Sequence, residues 1–303
     1  MKRALLSILL FSLAATAAAA PPDLEALRTY ALKLINRERT RSNLPALRLD
    51  PALNAFADAQ AARLLAGTPE PLTPYMRYSF AGGSDPIREN AHSWTVSYAL
   101  NDAALKDLLR KTHEAIMAEA PPLNGRRGTL LDSVATHAGI GFALEKGHFF
   151  IVQEVVRRYV TWLEPLPRKA TTADTVVVAA APIGEVTFDS IAVHHELPPR
   201  APTNRESLPV NRKGYLPRLG TEVKRHDDGK VEYIRHVYEE GRIGEVEVTK
   251  DGRFSVKIPF AEGPGIYTVV VWVKRPGLGT PFPGGSVSIR VEESPAAAVL
   301  PVR

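Results

Sequence analysis

The chain has no cysteine, so no disulfide braces it, no thiol can act as a nucleophile and no thiolate can hold a metal. Past residue 20 it lacks any apolar run approaching the roughly 20 residues that span a bilayer. A strong excess of one charge is missing too: 38 basic against 33 acidic residues leave a formal +5, too small a surplus to imply a nucleic-acid binder. What is present is a globular composition, 45% hydrophobic and 23% charged over 303 residues, enough for about two domains with cores of their own. The 25 prolines predict many turns and edges.

Residues 1–20, MKRALLSILLFSLAATAAAA, run from a basic start through an apolar stretch, Ala4 to Leu13, into small residues. That is the layout of a secretory signal peptide cleaved near Ala18 to Ala20. The apolar part is short for a membrane anchor, and no cysteine follows it to carry a lipid. The expected mature protein is a soluble monomer, secreted or periplasmic, with a charge of +3, the formal +5 less Lys2 and Arg3.

The remainder divides by texture. Residues 23–163 mix helical periodicity with short strands, 164–175 read as a linker, 176–293 are strand-like, and 294–303 form a tail. Leu24, Leu27, Ala31, Leu34 and Ile35 recur at helical spacing behind a cap at Asp23. Asp50 and Pro51 open a second helix, whose buried stripe is Leu53, Phe56, Ala57, Ala61 and Leu64. The stretch GTPEPLTPYMRYSFAGGSDPIREN carries too much proline and glycine for regular structure and is expected to be irregular. Residues 101–119 return to helical spacing. HAGIGFAL and HFFIVQEVV then form a hairpin about Glu145-Lys146-Gly147.

In this order, LINRERTRSNLPALRLDPALNAFADAQAARL, REN, MAEAPPLNGRRGTLLD and THAGIGFALEKGHFFIVQEV resemble the CAP superfamily, the SCP-like domain of cysteine-rich secretory, antigen 5 and pathogenesis-related proteins. The resemblance covers roughly residues 24–158 and implies an α+β fold, an α-β-α sandwich. It also implies a cleft with two histidines and two acids, which in some members holds a divalent metal. Glu89, followed by Asn90, matches the acid of the family's G-E-N motif, with Arg88 in place of the glycine. Glu119 falls where the second acid does. Arg126 stands in the histidine position of RRGTLLD, and no histidine lies between Leu64 and Arg77. The cleft is therefore expected to hold Glu89, Asn90, Glu119 and Arg126, with Arg126 paired to one of the two acids.

Without imidazoles the two carboxylates make a poor cation site, so the expectation is no metal and no cofactor, zinc being disfavoured. His92 and His113 lie near the two acids in sequence and are additional candidates. The simpler reading puts His92 at the surface or beside the site and His113 in a helix-end hydrogen bond. Adjacent strand positions send His194 and His195 to opposite faces, so both cannot easily bind one ion. No serine sits in a nucleophile-elbow pattern, so a catalytic residue is not assigned. A Glu89/Glu119 acid–base pair would be spoiled by Arg126.

Beyond the linker, EVEVTKDGRFSVKIPF reads as a hairpin about Lys250-Asp251-Gly252, and GPGIYTVVVWV as a buried central strand. Together with GGSVSIRVEE they predict an all-β sandwich resembling immunoglobulin-like modules. ELPPRAPTNRESLPVNRKGYLPRLG reads as a solvated loop, with a polyanion contact as the functional alternative. The expected function is binding, without catalysis, of a small apolar or anionic ligand or a cell-envelope partner through the cleft, the sandwich serving for attachment. A metal-dependent or carboxylate-based hydrolase of peptide or cell-wall polymer, and a structural envelope protein, are the alternatives.

Overall fold

The computed structural model describes residues 21–68, 70–197, 233–238 and 246–295. The expected signal peptide and nearly all of the basic, proline-rich loop lie outside them. Helix α1 (Leu24–Arg41) begins where the Asp23 carboxylate accepts from the Ala26 N–H. A two-residue strand β1 (Arg48–Leu49) leads to α2 (Pro51–Leu65), capped by Asp50 and started by proline. The region expected to be irregular is partly regular: it contains α3 (Pro74–Phe80) and the start of β2 (Ile87–Thr95). Pro74 opens the helix at a position where its missing N–H costs nothing, so proline there starts the element instead of breaking it. Helices α4 (Asp102–Met117) and α5 (Gly125–Leu130) precede the hairpin of β3 (His137–Glu145) and β4 (His148–Val156).

These four strands form one sheet in the order β1-β3-β4-β2. One face packs on α1 and α4 through Leu27, Ile35, Leu105, Leu108, Ile140 and Ile151. The other packs on α2 and α3 through Leu53, Met76, Ile87 and Val156. Helix α2 lies so close to β3 that a Cβ on Gly139 would come within 2.4 Å of the Leu53 backbone, and one on Gly141 within 2.0 Å of Ala57. Helix α2 also finishes the open edge of β3. Asn54 Oδ1 and Asp58 Oδ1 accept from the N–H groups of Ile140 and Phe142, each at 2.9 Å, and Arg28 Nε donates to the Ile140 carbonyl at 2.9 Å.

The second unit starts earlier than expected. Strand β5 (Val160–Trp162) and strand β6 (Lys169–Thr171) are followed by β7 (Thr175–Pro182), β8 (Thr187–Glu196), β9 (Tyr233–Tyr238), β10 (Glu247–Val248), β11 (Phe254–Pro259), β12 (Gly265–Lys274) and β13 (Phe282–Glu292). They form two sheets, β10-β11-β7-β5 and β6-β13-β12-β8-β9. Val178, Phe254, Tyr267, Val269, Val271 and Ile289 fill the space between them. This is the strand order of an immunoglobulin-type sandwich. Residues 164–175 are accordingly no linker. Its prolines carry the first strand across from one sheet, as β5, to the other, as β6, where it runs parallel to β13.

The two units share a seam. The Ser288 N–H donates to Ser79 Oγ at 2.6 Å, the Ser286 N–H to the Ser84 carbonyl at 2.9 Å, and Arg168 to the Ser79 and Gly83 carbonyls at 2.7 and 2.8 Å. Ile266 of β12 joins Tyr75 and Met76 of α3 in one apolar cluster, and Tyr75 donates to Glu196 at 2.6 Å. Five of the seven residues of α3, Tyr75 to Ser79, are buried. A chain ending at Arg158 would uncover these side chains and strip Ser79 of its partners. It is expected to melt at least several degrees below the intact protein, or to be insoluble, in a comparison by circular dichroism.

Candidate functional site

Strand β2 carries the central motif, and its alternation divides it, because successive side chains point to opposite faces. Glu89 pairs across the strands with Glu154 of β4, and Asn90 with Gln153. The expected single cleft of Glu89, Asn90, Glu119 and Arg126 is therefore not formed. Glu89 faces α2 and α3, whereas Asn90 and His92 face α5.

On the α5 side the expected arginine–acid pair is present, and its partner is Glu119. Arg126 Nε donates to Glu119 Oε1, and the backbone N–H groups of Arg126 and Arg127 both donate to Oε2 at 3.1 Å. Burial alone would raise the Glu119 pKa, but Arg126 and the two N–H donors outweigh it and hold it below the ordinary value. Asn90 Nδ2 donates to the Arg126 carbonyl at 3.0 Å, and Arg126 Nη1 stands 3.4 Å from His92 Nδ1. Burial and then Arg126 lower the His92 pKa, so this imidazole is neutral at pH 7. His113 lies elsewhere, buried on α4 with Nε2 3.9 Å from Glu38 Oε1 of α1.

On the α2 and α3 side, Glu89 accepts from Arg77 Nη2 at 2.5 Å and from Gln60 Nε2 at 3.3 Å. Gln60 in turn contacts Arg63, which pairs with Glu70. Arg77 lies in the stretch where the family resemblance puts a histidine, so a second guanidinium occupies the second imidazole's region. Glu154 is 0% exposed, and neither of its oxygens accepts from an N–H or hydroxyl of the protein among the described residues. Burial, reinforced by Glu89, pushes its pKa well up. That shift favours the protonated acid in the folded state.

Sequence reasoning missed Gln60, Arg77 and Glu154. Arg77 was hidden in the stretch read as irregular. Glu154 had one available signal: it is an acid in a strand, HFFIVQEVV, that is mostly apolar.

The donor set does not fit a divalent ion. Glu119 is occupied by three N–H groups, His92 adjoins a guanidinium, and Glu89 is on the other face. Among the described residues no three of His, Asp or Glu converge.

With this geometry in place, the helix–sheet–helix unit can be compared with known proteins. Residues 32–155 match the CAP model, described as the cysteine-rich secretory protein family; this part of the chain is a CAP domain. Among solved structures, an extracellular protein containing a SCP domain from Bacillus anthracis str. Ames is similar at 19% identity with a TM-score of 0.32, over 44% of this chain and 41% of that one. The chain thus spans well under two thirds of that relative. Schistosoma mansoni venom allergen-like protein 4 is similar at 14% identity with a TM-score of 0.30, over 44% of this chain and 86% of that one. Na-ASP-1 is similar at 12% identity with a TM-score of 0.29, over 43% and 38%. No curated protein matches.

Because burial raises the Glu154 pKa in the folded state above the ordinary value of 4.5, this residue costs stability as pH rises above that point. Glu154→Gln keeps the shape and removes the titration. Its melting temperature should equal or trail the wild type near pH 4 and exceed it by a few degrees at pH 8, measured by calorimetry across pH. A difference independent of pH would contradict the neutral-acid assignment.

Proposed function

We propose that this is an exported CAP-domain protein that works by binding rather than by catalysis, with its arginine-edged groove receiving an anionic group of a cell-envelope or extracellular ligand. The observation that carries this reading is the pairing of each motif acid with its own guanidinium, Glu119 with Arg126 and Glu89 with Arg77. Glu119, held as a carboxylate by Arg126 and two backbone N–H groups, is a weak general acid, and two acids on opposite faces cannot flank one substrate. Arg126 and exposed Arg127 against the carboxylate of Glu119 leave that side of β2 positive, which favours an anionic ligand over an apolar one. The order of residues 1–20 supports export. No described helix is long and apolar enough to cross a membrane.

Under this reading the sandwich presents the CAP domain to its partner as a body fixed along the seam, not as a tethered attachment module. Two measurements test the proposal. Zinc in tenfold excess should leave the melting temperature unchanged and should not bind stoichiometrically in equilibrium dialysis. Inorganic phosphate at millimolar concentration should raise the melting temperature of the wild type and not of Arg126→Ala. Tight one-to-one zinc binding, or an equal phosphate response in the variant, would sink the proposal.

A further inference from the structure

The CAP-domain sheet has two open edges, and they are treated differently. The β3 edge beyond its short pairing with β1 is closed by Asn54, Asp58 and Arg28. The β2 edge receives nothing comparable. The Val96 N–H bonds the Gly147 carbonyl, and the Arg157 N–H bonds the Pro86 carbonyl. With the continuous register of β2 on β4, this parity gives positions 88, 90, 92 and 94 the inward backbone bonds. The N–H and C=O groups of Ala91, Ser93 and Thr95 therefore point away from the sheet. All three residues are exposed, and among the described residues no backbone or side-chain group bonds those outward atoms.

Edges of this kind normally carry lysine, proline, a bulge or a cover that prevents pairing. Residues 91–95, AHSWT, have neither lysine nor proline, and the register runs through them without a shift. At nine residues β2 is also the longest edge strand described. The other sheet edges, β1, β5, β6, β9 and β10, have two to six residues.

The two flanks of this edge differ in chemistry. On the face of Ala91, Ser93 and Thr95, partly buried Leu64, Leu65 and Phe150 form an apolar shelf over Ala57, Ala61 and Val152. On the face of His92 and Trp94 stands Arg126, which reaches His92; exposed Arg127 follows it in α5. A strand added beside β2 would send alternate side chains to these two flanks.

We propose that the β2 edge at residues 91–95 is a docking site for an extended segment of another protein that alternates apolar and acidic residues and joins the sheet as a fifth strand. Main-chain bonds to Ala91, Ser93 and Thr95 supply the attachment. Apolar side chains settle on Leu64, Leu65 and Phe150, and carboxylates face Arg126 and Arg127. This rests on the reading of the chain as a binding protein and shares Arg126 with that site, but its main-chain attachment to Ala91, Ser93 and Thr95 is separate. The N-methylation result can therefore fail while the phosphate result stands, and the reverse.

The probe is a fluorescein-labelled peptide, acetyl-Ser-Val-Glu-Val-Glu-Val-Ser-amide, titrated with the full chain by fluorescence anisotropy. Saturable one-to-one binding is expected, weakened about tenfold or more by Ser93→Pro, which removes an outward donor without touching the β4 ladder. Replacing both glutamates of the peptide by lysine should weaken binding similarly. Of two peptides N-methylated at the valines or at the glutamates, one should lose binding, because only one set of amides faces β2. That comparison carries the test alone if Ser93→Pro does not fold. The proposal is overturned if both N-methylated peptides bind like the parent, or if the lysine peptide binds as tightly. It is equally overturned if sedimentation shows a wild-type dimer that Ser93→Pro dissolves, which would put a second copy of the chain on this edge.

Discussion

The two-residue period of strand β2 is the constraint on which the functional reading depends. Glu89 and Asn90 are neighbours in the chain, and a motif reading joins them in one site. In a pleated strand they are separated by the thickness of the sheet. Glu89 consequently answers to α2 and α3, and Asn90 and His92 to α5. Each half then found its own cation: Arg77 at 2.5 Å for Glu89, and Arg126 for Glu119. Had β2 carried a bulge between residues 89 and 90, the same side chains would share a face. The unbroken register excludes it.

Helix α3 connects this arrangement to the second unit. It is only seven residues long, too short to be stable by itself, and is fixed by what it touches on both sides. Tyr75 and Met76 pack with Ile87 of β2 and Ile266 of β12 in one cluster, Arg77 holds Glu89, and Ser79 both receives from the Ser288 N–H and donates to the Ser288 carbonyl. The phenyl ring of Phe80 lies 5.3 Å from the Arg290 guanidinium. Moving the sandwich relative to the CAP domain would therefore shift the arginine that compensates Glu89. In this protein the β-rich unit helps to position the interior of its neighbour.

Much of the fold was legible because local signals agreed with tertiary ones. Asp23 and Asp50 cap the helices they were expected to cap. The turn at Lys146 and Gly147 has positive φ at both residues, 46° and 80°, as a tight hairpin with glycine there requires. The CAP resemblance matches the family model over residues 32–155. Two readings failed for one reason: proline was taken as an end of structure. Pro74 instead begins α3, and the prolines of 164–175 carry a strand from one sheet to the other. At the site, Arg126 and Glu119 were legible because the family resemblance puts them at the positions of a cleft histidine and a cleft acid, although it left open which acid Arg126 pairs with. Arg77 and Glu154 were not, because their roles follow from which face of a strand and which side of a helix they occupy, and neither was assigned from spacing alone.

The charges on the two sides of β2 support the proposal that this motif takes an anion rather than a cation. On the α2 and α3 side, one carboxylate, Glu89, meets one guanidinium, Arg77, and the second carboxyl, Glu154, avoids a charge by keeping its proton. On the α5 side, Glu119 meets Arg126, and His92 avoids a charge by shedding its proton. Each motif acid thus has its own guanidinium before any ligand arrives, and Arg127 adds a positive charge on the α5 side. Burying uncompensated charge in a low-dielectric interior is costly. A divalent ion entering either side would add two positive charges to a balanced set, and the arginines, unlike histidines, cannot give up a proton to make room. An anion meets no such obstacle at Arg127, whose charge is exposed and outside the balance. Under the proposed function, the guanidiniums that stand where the resemblance puts imidazoles disfavour a metal and favour negatively charged partners at the rim of β2.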